Sequence, residues 1–113
     1  MKRLYLASPY SDPNPYIMEF RYQAVCKKAG ELMQQGYAVY SPIAHSHAIG
    51  LTLDNSVDHE FWLRQCFAML DWADEIVVWM IGGWKESHGI QMEIDECAKL
   101  GIPGRYLREK EVY

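Results

Sequence analysis

Residues 75–100 run EIVVWMIGGWKESHGIQMEIDECAKL, from Glu75 to Leu100, and the pattern changes twice along the way. Glu75 to Ile81 is almost unbroken apolar sequence, as expected of a central parallel strand covered on both faces. Gly82-Gly83-Trp84-Lys85-Glu86 reads as a turn, and Ser87 to Leu100 as a helix that Ser87 opens and Gly101 closes. At about 100° per residue, Ile90, Ile94, Cys97 and Ala98 form its core stripe, while Asp95, Glu96 and Lys99 point to solvent. Glu93 falls about 40° from Cys97, on the shoulder of that stripe. Gly89, one turn earlier on the same side, leaves a gap in the side-chain cover. The expectation is a partly buried carboxylate beside a hole.

Outward from this stretch the chain keeps alternating. Lys2 to Ala7 is a short strand, followed by a loop, Ser8 to Pro15, in which three prolines exclude helix and central strand. Tyr16 to Gln35 is an amphipathic helix with Met18, Tyr22, Val25, Ala29 and Leu32 on one stripe, and Gly36 ends it. Tyr37 to Tyr40 is a second strand, stopped by Ser41-Pro42. Ile43 to Val57, carrying His45, His47, Asp54 and Asn55, reads as a loop long enough to suggest a function or a short helix. Ser56 or Asp58 can cap a helix from His59 to Ala73, with Trp62, Cys66, Met69, Leu70 and Ala73 as its stripe. Arg105 to Arg108 is a last strand, and the tail EKEVY is expected to fray or lie at an interface. The sum is an α/β doubly wound sheet of about four parallel strands in three αβα layers, one domain over residues 1–113.

Composition excludes several function classes. A net charge of -4 disfavours binding to a nucleic acid polymer, which needs a basic face. No apolar run approaches the ~20 residues of a membrane span, and the apolar run after Lys2-Arg3 is too short for a signal peptide. Cys26, Cys66 and Cys97 form no CxxC pair and read as reduced, packed thiols of a cytoplasmic protein. Four Trp and eight Tyr are many for this length, and the expectation is core and interface residues with some lining an aromatic ligand site.

In doubly wound sheets ligands bind beyond the C-terminal strand ends, near the switch in strand order. That rule selects Ser8, Pro9 and Tyr10 after the first strand, and Ser41, Pro42, His45 and His47 after the second. It also selects the turn with Gly83 and Trp84, and Ser87 and Gly89 at the start of the last helix. The free amides of that helix, with Lys85 and His88 nearby, suit a phosphate or a sugar 5'-hydroxyl. His45-x-His47 places two imidazoles on one side of an extended loop, but a metal needs two further ligands that no recognisable spacing supplies. His45 and His47 are therefore assigned to hydrogen-bonding the substrate or fixing the loop, with no metal and no cofactor. The P-loop, GxGxxG and G-x-S-x-G spacings are all absent.

Tyr5-Leu6-Ala7-Ser8-Pro9, Ser41-Pro42, Ala73 to Val78, and above all Ser87-x-Gly89-x-x-x-Glu93 followed by Ala98, Gly101 and Pro103 resemble one known family. It is the nucleoside 2-deoxyribosyltransferases, with their relatives the 2'-deoxynucleoside 5'-monophosphate N-glycosidases. The resemblance covers most of the chain and implies a flavodoxin-like fold. It implies that Glu93 is the nucleophile, attacking C1' of a deoxyribose, with Tyr5 beside it and Ser87 holding the sugar's 5' group. Base or water then resolves the glycosyl-enzyme, so transferase and hydrolase both stand open. The resemblance also implies a small nucleoside or nucleotide as ligand and a homodimer or higher oligomer. One departure is visible: relatives place an aspartate about where Cys66 stands, and Asp58, Asp71, His45 or His47 is left to substitute. A non-catalytic nucleotide-binding domain that keeps the pocket is the alternative reading. A histidine-based metal hydrolase is a third.

Overall fold

The computed structural model describes residues 1–54 and 57–113. In chain order the elements are β1 (Arg3–Ala7), α1 (Pro15–Gln34), β2 (Ala38–Tyr40), α2 (Pro42–Gly50), α3 (His59–Leu70), β3 (Glu75–Met80), α4 (His88–Leu100) and β4 (Gly104–Arg108). The strands form one parallel sheet in the order β2-β1-β3-β4. The order reverses between β1 and β3, so the crevice for a ligand opens beyond Ala7 and Met80.

Strand alternation builds two cores. Leu4, Leu6, Val77, Trp79 and Leu107 pack against Val25, Ala29 and Leu32 of α1 and Ile43 of α2. Tyr5, Ala7, Ile76 and Val78 face Leu70 of α3 and Ile90 and Cys97 of α4 on the other side. The expected three layers and four parallel strands are thus observed. Each helix starts on a predicted kind of cap. Asn14 accepts from the Tyr16 amide (2.9 Å), Asp58 from Phe61 (2.9 Å) and Ser87 from Ile90 (3.2 Å). Ser56, the other candidate cap for α3, lies outside the described residues, as does Asn55.

One open reading is decided and two expectations are corrected. The segment from Ile43, read as a loop that suggests a function or a short helix, contains that short helix, α2, because Ser41-Pro42 does more than stop β2. Ser41 accepts from the Ala44 amide (3.1 Å) and Pro42 takes the first helical position. α3 stops at Leu70 rather than Ala73, in a turn closed by amides of Trp72 and Ala73 on carbonyls of Met69 and Leu70. The tail docks instead of fraying. Tyr113 donates to Glu75, lies edge-on to Tyr37, and is covered by the Arg105 guanidinium at 4.4 Å. Lys28, buried on α1, holds the Glu111 carbonyl (3.2 Å) and sits over the Trp79 ring, so the tail fastens to both a strand and a helix.

Candidate active site

Glu93 is the centre of the arrangement. The buried face of α4 is Ile90, Glu93 and Cys97, while Ala98 is exposed and Ile94 only half-buried. The helix is therefore rolled away from the expected stripe. Glu93 stands within the buried face rather than on its shoulder, 5% exposed. Its partner is Tyr5, fully buried on β1, whose hydroxyl donates to Glu93 Oε2. The residue alternation of β1 brings them together, because Tyr5 and Ala7 point to the α4 face. Burial raises the Glu93 carboxyl to about 7 against the opposing effect of the Tyr5 hydrogen bond. Burial first, and the neighbouring carboxylate next, hold the Tyr5 hydroxyl well above its ordinary range. Tyr5 thus remains a proton donor at any pH where Glu93 titrates.

Above this pair lies a cavity of about 1080 Å³. Ser8, Pro9, Tyr10, His47, Gly83, Ser87, Gly89 and Glu93 all line it, so most of the expected site residues converge. Gly89 lines the cavity, and a Cβ there would meet the Ser87 hydroxyl at 3.9 Å. Ser8 is the most informative. Its hydroxyl is buried, lines the cavity and has no hydrogen-bond partner, which is rare for a buried polar atom and points to a ligand group that satisfies it. Tyr10 and His47 are joined at 2.7 Å, and His47 also meets Glu19 at 3.1 Å and stacks on Tyr22. His47 is thereby a wall held in place by α1.

Two expected residues do not belong. His45 is exposed and packs on Tyr40. The pair sits on a helix, where positions two apart point about 200° apart, so the imidazoles diverge. Trp84 turns away from the cavity to pack beside Tyr106, where its ring joins the apolar cluster on the α4 side of the sheet. Neither Asp58 nor Asp71 lines the cavity, since both are exposed at the two ends of α3. Cys66 does line it, and burial raises its thiol to about 11, so it stays protonated at neutral pH.

Arg21 was not foreseen. Nη1 donates to the carbonyls of Tyr10 (3.3 Å) and Ser11 (3.0 Å), and Nη2 to that of Gly82 (3.2 Å). One guanidinium therefore ties the loop after β1 to the turn after β3. Gly83 has φ +96°, and a Cβ there would run into Arg21, which explains the glycine. The pattern signal was weak: Arg21 neighbours Tyr22 on the α1 stripe, and nothing in spacing alone marks a strut.

A family model described as a domain of unknown function, DUF1937, matches residues 2–106. The chain belongs to the DUF1937 family. Among solved structures, this DUF1937 chain is similar to a 2-deoxyribosyltransferase from the psychrotolerant bacterium Bacillus psychrosaccharolyticus. The TM-score is 0.68 at 22% identity, over 98% of this chain and 76% of that one. At that identity the likeness establishes the fold, which is that of a 2-deoxyribosyltransferase. No curated protein matches the DUF1937 chain. No helix among the described residues is long and apolar enough to cross a membrane.

Two stability measurements follow from the site. A carboxyl whose value rises from 4.5 to about 7 on folding binds its proton more tightly in the native state. Its contribution is full below pH 4.5 and is lost as pH rises through about 7. Glu93→Gln, which mimics the protonated form, is expected to stabilise the protein by on the order of 3 kcal/mol at pH 8 and by little at pH 4.5. Urea unfolding at both pH values checks this, and a pH-independent difference contradicts it. Ser8→Ala is expected to leave stability unchanged or raise it by up to about 1 kcal/mol, since the hydroxyl it removes has no partner. A loss larger than that shows that the hydroxyl is satisfied in the free protein.

Proposed function

We propose that this protein breaks the N-glycosidic bond of 2'-deoxynucleosides or their 5'-monophosphates, with Glu93 as nucleophile. The observation that carries the reading is the buried Glu93 carboxylate on the cavity floor, held by the Tyr5 hydroxyl. The unpartnered Ser8 hydroxyl and the fold shared with a 2-deoxyribosyltransferase support it.

In the first step an Oε atom of ionised Glu93 bonds to C1' as the C1'–N bond breaks, and the bonding pair leaves with the base nitrogen. In the second, a water oxygen or the nitrogen of another base bonds to C1', and the electron pair of the C1'–Oε bond returns to Glu93. Two displacements through oxocarbenium-like transition states replace one difficult step. Tyr5 orients the carboxylate by holding Oε2 and leaves Oε1 to react. Because Cys66 occupies the wall where an acidic side chain was expected, the departing base takes its proton from another source. The same cysteine favours the second reading, a nucleotide-binding domain without turnover.

Incubation with a panel of 2'-deoxynucleosides and 5'-monophosphates, read by chromatography, separates the two. Base release or exchange is expected, rising with pH through about 7 as Glu93 ionises. Glu93→Ala is expected to lower it by at least about 1000-fold. Release that persists in Glu93→Ala contradicts the nucleophile, and binding without turnover in the wild type supports the second reading.

A further inference from the structure

Both ring nitrogens of His47 are engaged, and their partners bear on the second step of the reaction, an inference that rests on the N-glycosidic reading above. Nε2 lies 3.1 Å from the Glu19 carboxylate, and Nδ1 lies 2.7 Å from the Tyr10 hydroxyl. A carboxylate only accepts, so in the neutral ring Nε2 carries the proton and Nδ1 accepts from Tyr10. The Tyr22 ring stacks on the imidazole at 3.9 Å, and the Arg21 guanidinium holds the Tyr10 carbonyl at 3.3 Å, so ring and phenol are both fixed. Tyr10 and His47 line the cavity, while the Glu19 side chain is 53% exposed. The three groups therefore connect the cavity to solvent. Tyr10 and Tyr22 pack with the core on the α1 side of the sheet, whereas Glu93 belongs to the buried face of α4 on the other side.

We propose that Tyr10, His47 and Glu19 form a proton relay that deprotonates the nucleophile resolving the glycosyl-enzyme. Displacement at C1' is in line, so the nucleobase leaves, and water or a second nucleobase arrives, on the face of the sugar turned away from Glu93. The wall of Tyr10 and His47 stands across the cavity from that carboxylate. In the step, the oxygen of water or the nitrogen of the second nucleobase bonds to C1' as the C1'–Oε bond breaks, and that electron pair returns to Glu93. The proton lost by the nucleophile goes to Tyr10 Oη, and the Tyr10 proton goes to Nδ1 of His47. The imidazolium so formed is paired with Glu19, and from that exposed end a proton passes to solvent. Burial first, and Glu19 next, hold the Tyr10 hydroxyl above its ordinary range, so it passes the proton on rather than persisting as a phenolate. A carboxylate behind an imidazole acts in the same way in hydrolytic triads, fixing the tautomer and stabilising the cation. Tyr10 is the catalytic residue of the relay, and His47 and Glu19 act through it.

The test follows nucleobase release by rapid quench, with the intact mass of the protein, on the 2'-deoxynucleoside or 5'-monophosphate that the wild type cleaves fastest. Tyr10→Phe removes the relay's hydroxyl and keeps its ring. It is expected to release a burst of about one nucleobase per chain and then to turn over about 100-fold more slowly than the wild type, with most chains carrying the deoxyribosyl group. Azide attacks carbon without losing a proton. Added azide is therefore expected to raise turnover of Tyr10→Phe at least about tenfold and to leave the wild type unchanged. Glu19→Gln is expected to show the same burst and rescue with a slowing of about tenfold. Tyr10→Phe that turns over like the wild type, or that slows with neither a burst nor azide rescue, overturns the relay and leaves the N-glycosidic reading standing. Glu19→Gln that matches the wild type overturns the place of Glu19 in it. If the wild type cleaves no member of either series, the N-glycosidic reading itself fails and this inference with it.

Discussion

A buried carboxylate held by a buried phenol is the constraint on which the rest of this structure depends. An isolated charge in the interior is costly, and Glu93 offsets that cost only through the Tyr5 hydroxyl and by binding its proton near neutral pH. Several features follow from keeping this pair in register. β1 must be interior to the sheet so that Tyr5 is covered, and it lies between β2 and β3. α4 must lie across it with Glu93 inward, and its start is fixed by the Ser87 cap while Gly101, at φ +73°, closes its end. Gly89 and Glu93 line the same cavity.

The loops that roof this pair come from separate parts of the chain, and Arg21 joins two of them through three carbonyls. A guanidinium suits this task because it presents several donors in a fixed planar fork. Among the described residues, the cavity lining carries Asp12, Asp54, Glu86 and Glu93 beside Arg21, and the buried Ser8 hydroxyl has no hydrogen-bond partner.

Much of this was legible in the residues, and the limits are physical. The unbroken apolar run of β3 and the helical spacing of α1 dictated the layers, because core burial imposes those periods. Glu93 stood out because helical geometry made it the acid of its helix nearest the core. The geometry erred only in the roll of α4, since a stripe of four apolar positions does not say which edge meets the sheet. α2 was hidden because Ser-Pro reads equally as a strand stop and as a helix start. That ambiguity carried His45 into the expected site, since an extended loop and a helix send alternate residues to different sides. Trp84 and Arg21 depended on long-range partners, Tyr106 and the carbonyls of two loops, which no local pattern encodes.

The most direct test of the central claim is the intact mass of the protein, quenched in acid during incubation with a 2'-deoxynucleoside. The account predicts a fraction of chains carrying one added deoxyribosyl group, located by peptide mapping on Glu93 and absent from Glu93→Gln. Base release in the wild type with no such adduct, or an adduct on another residue, would contradict it.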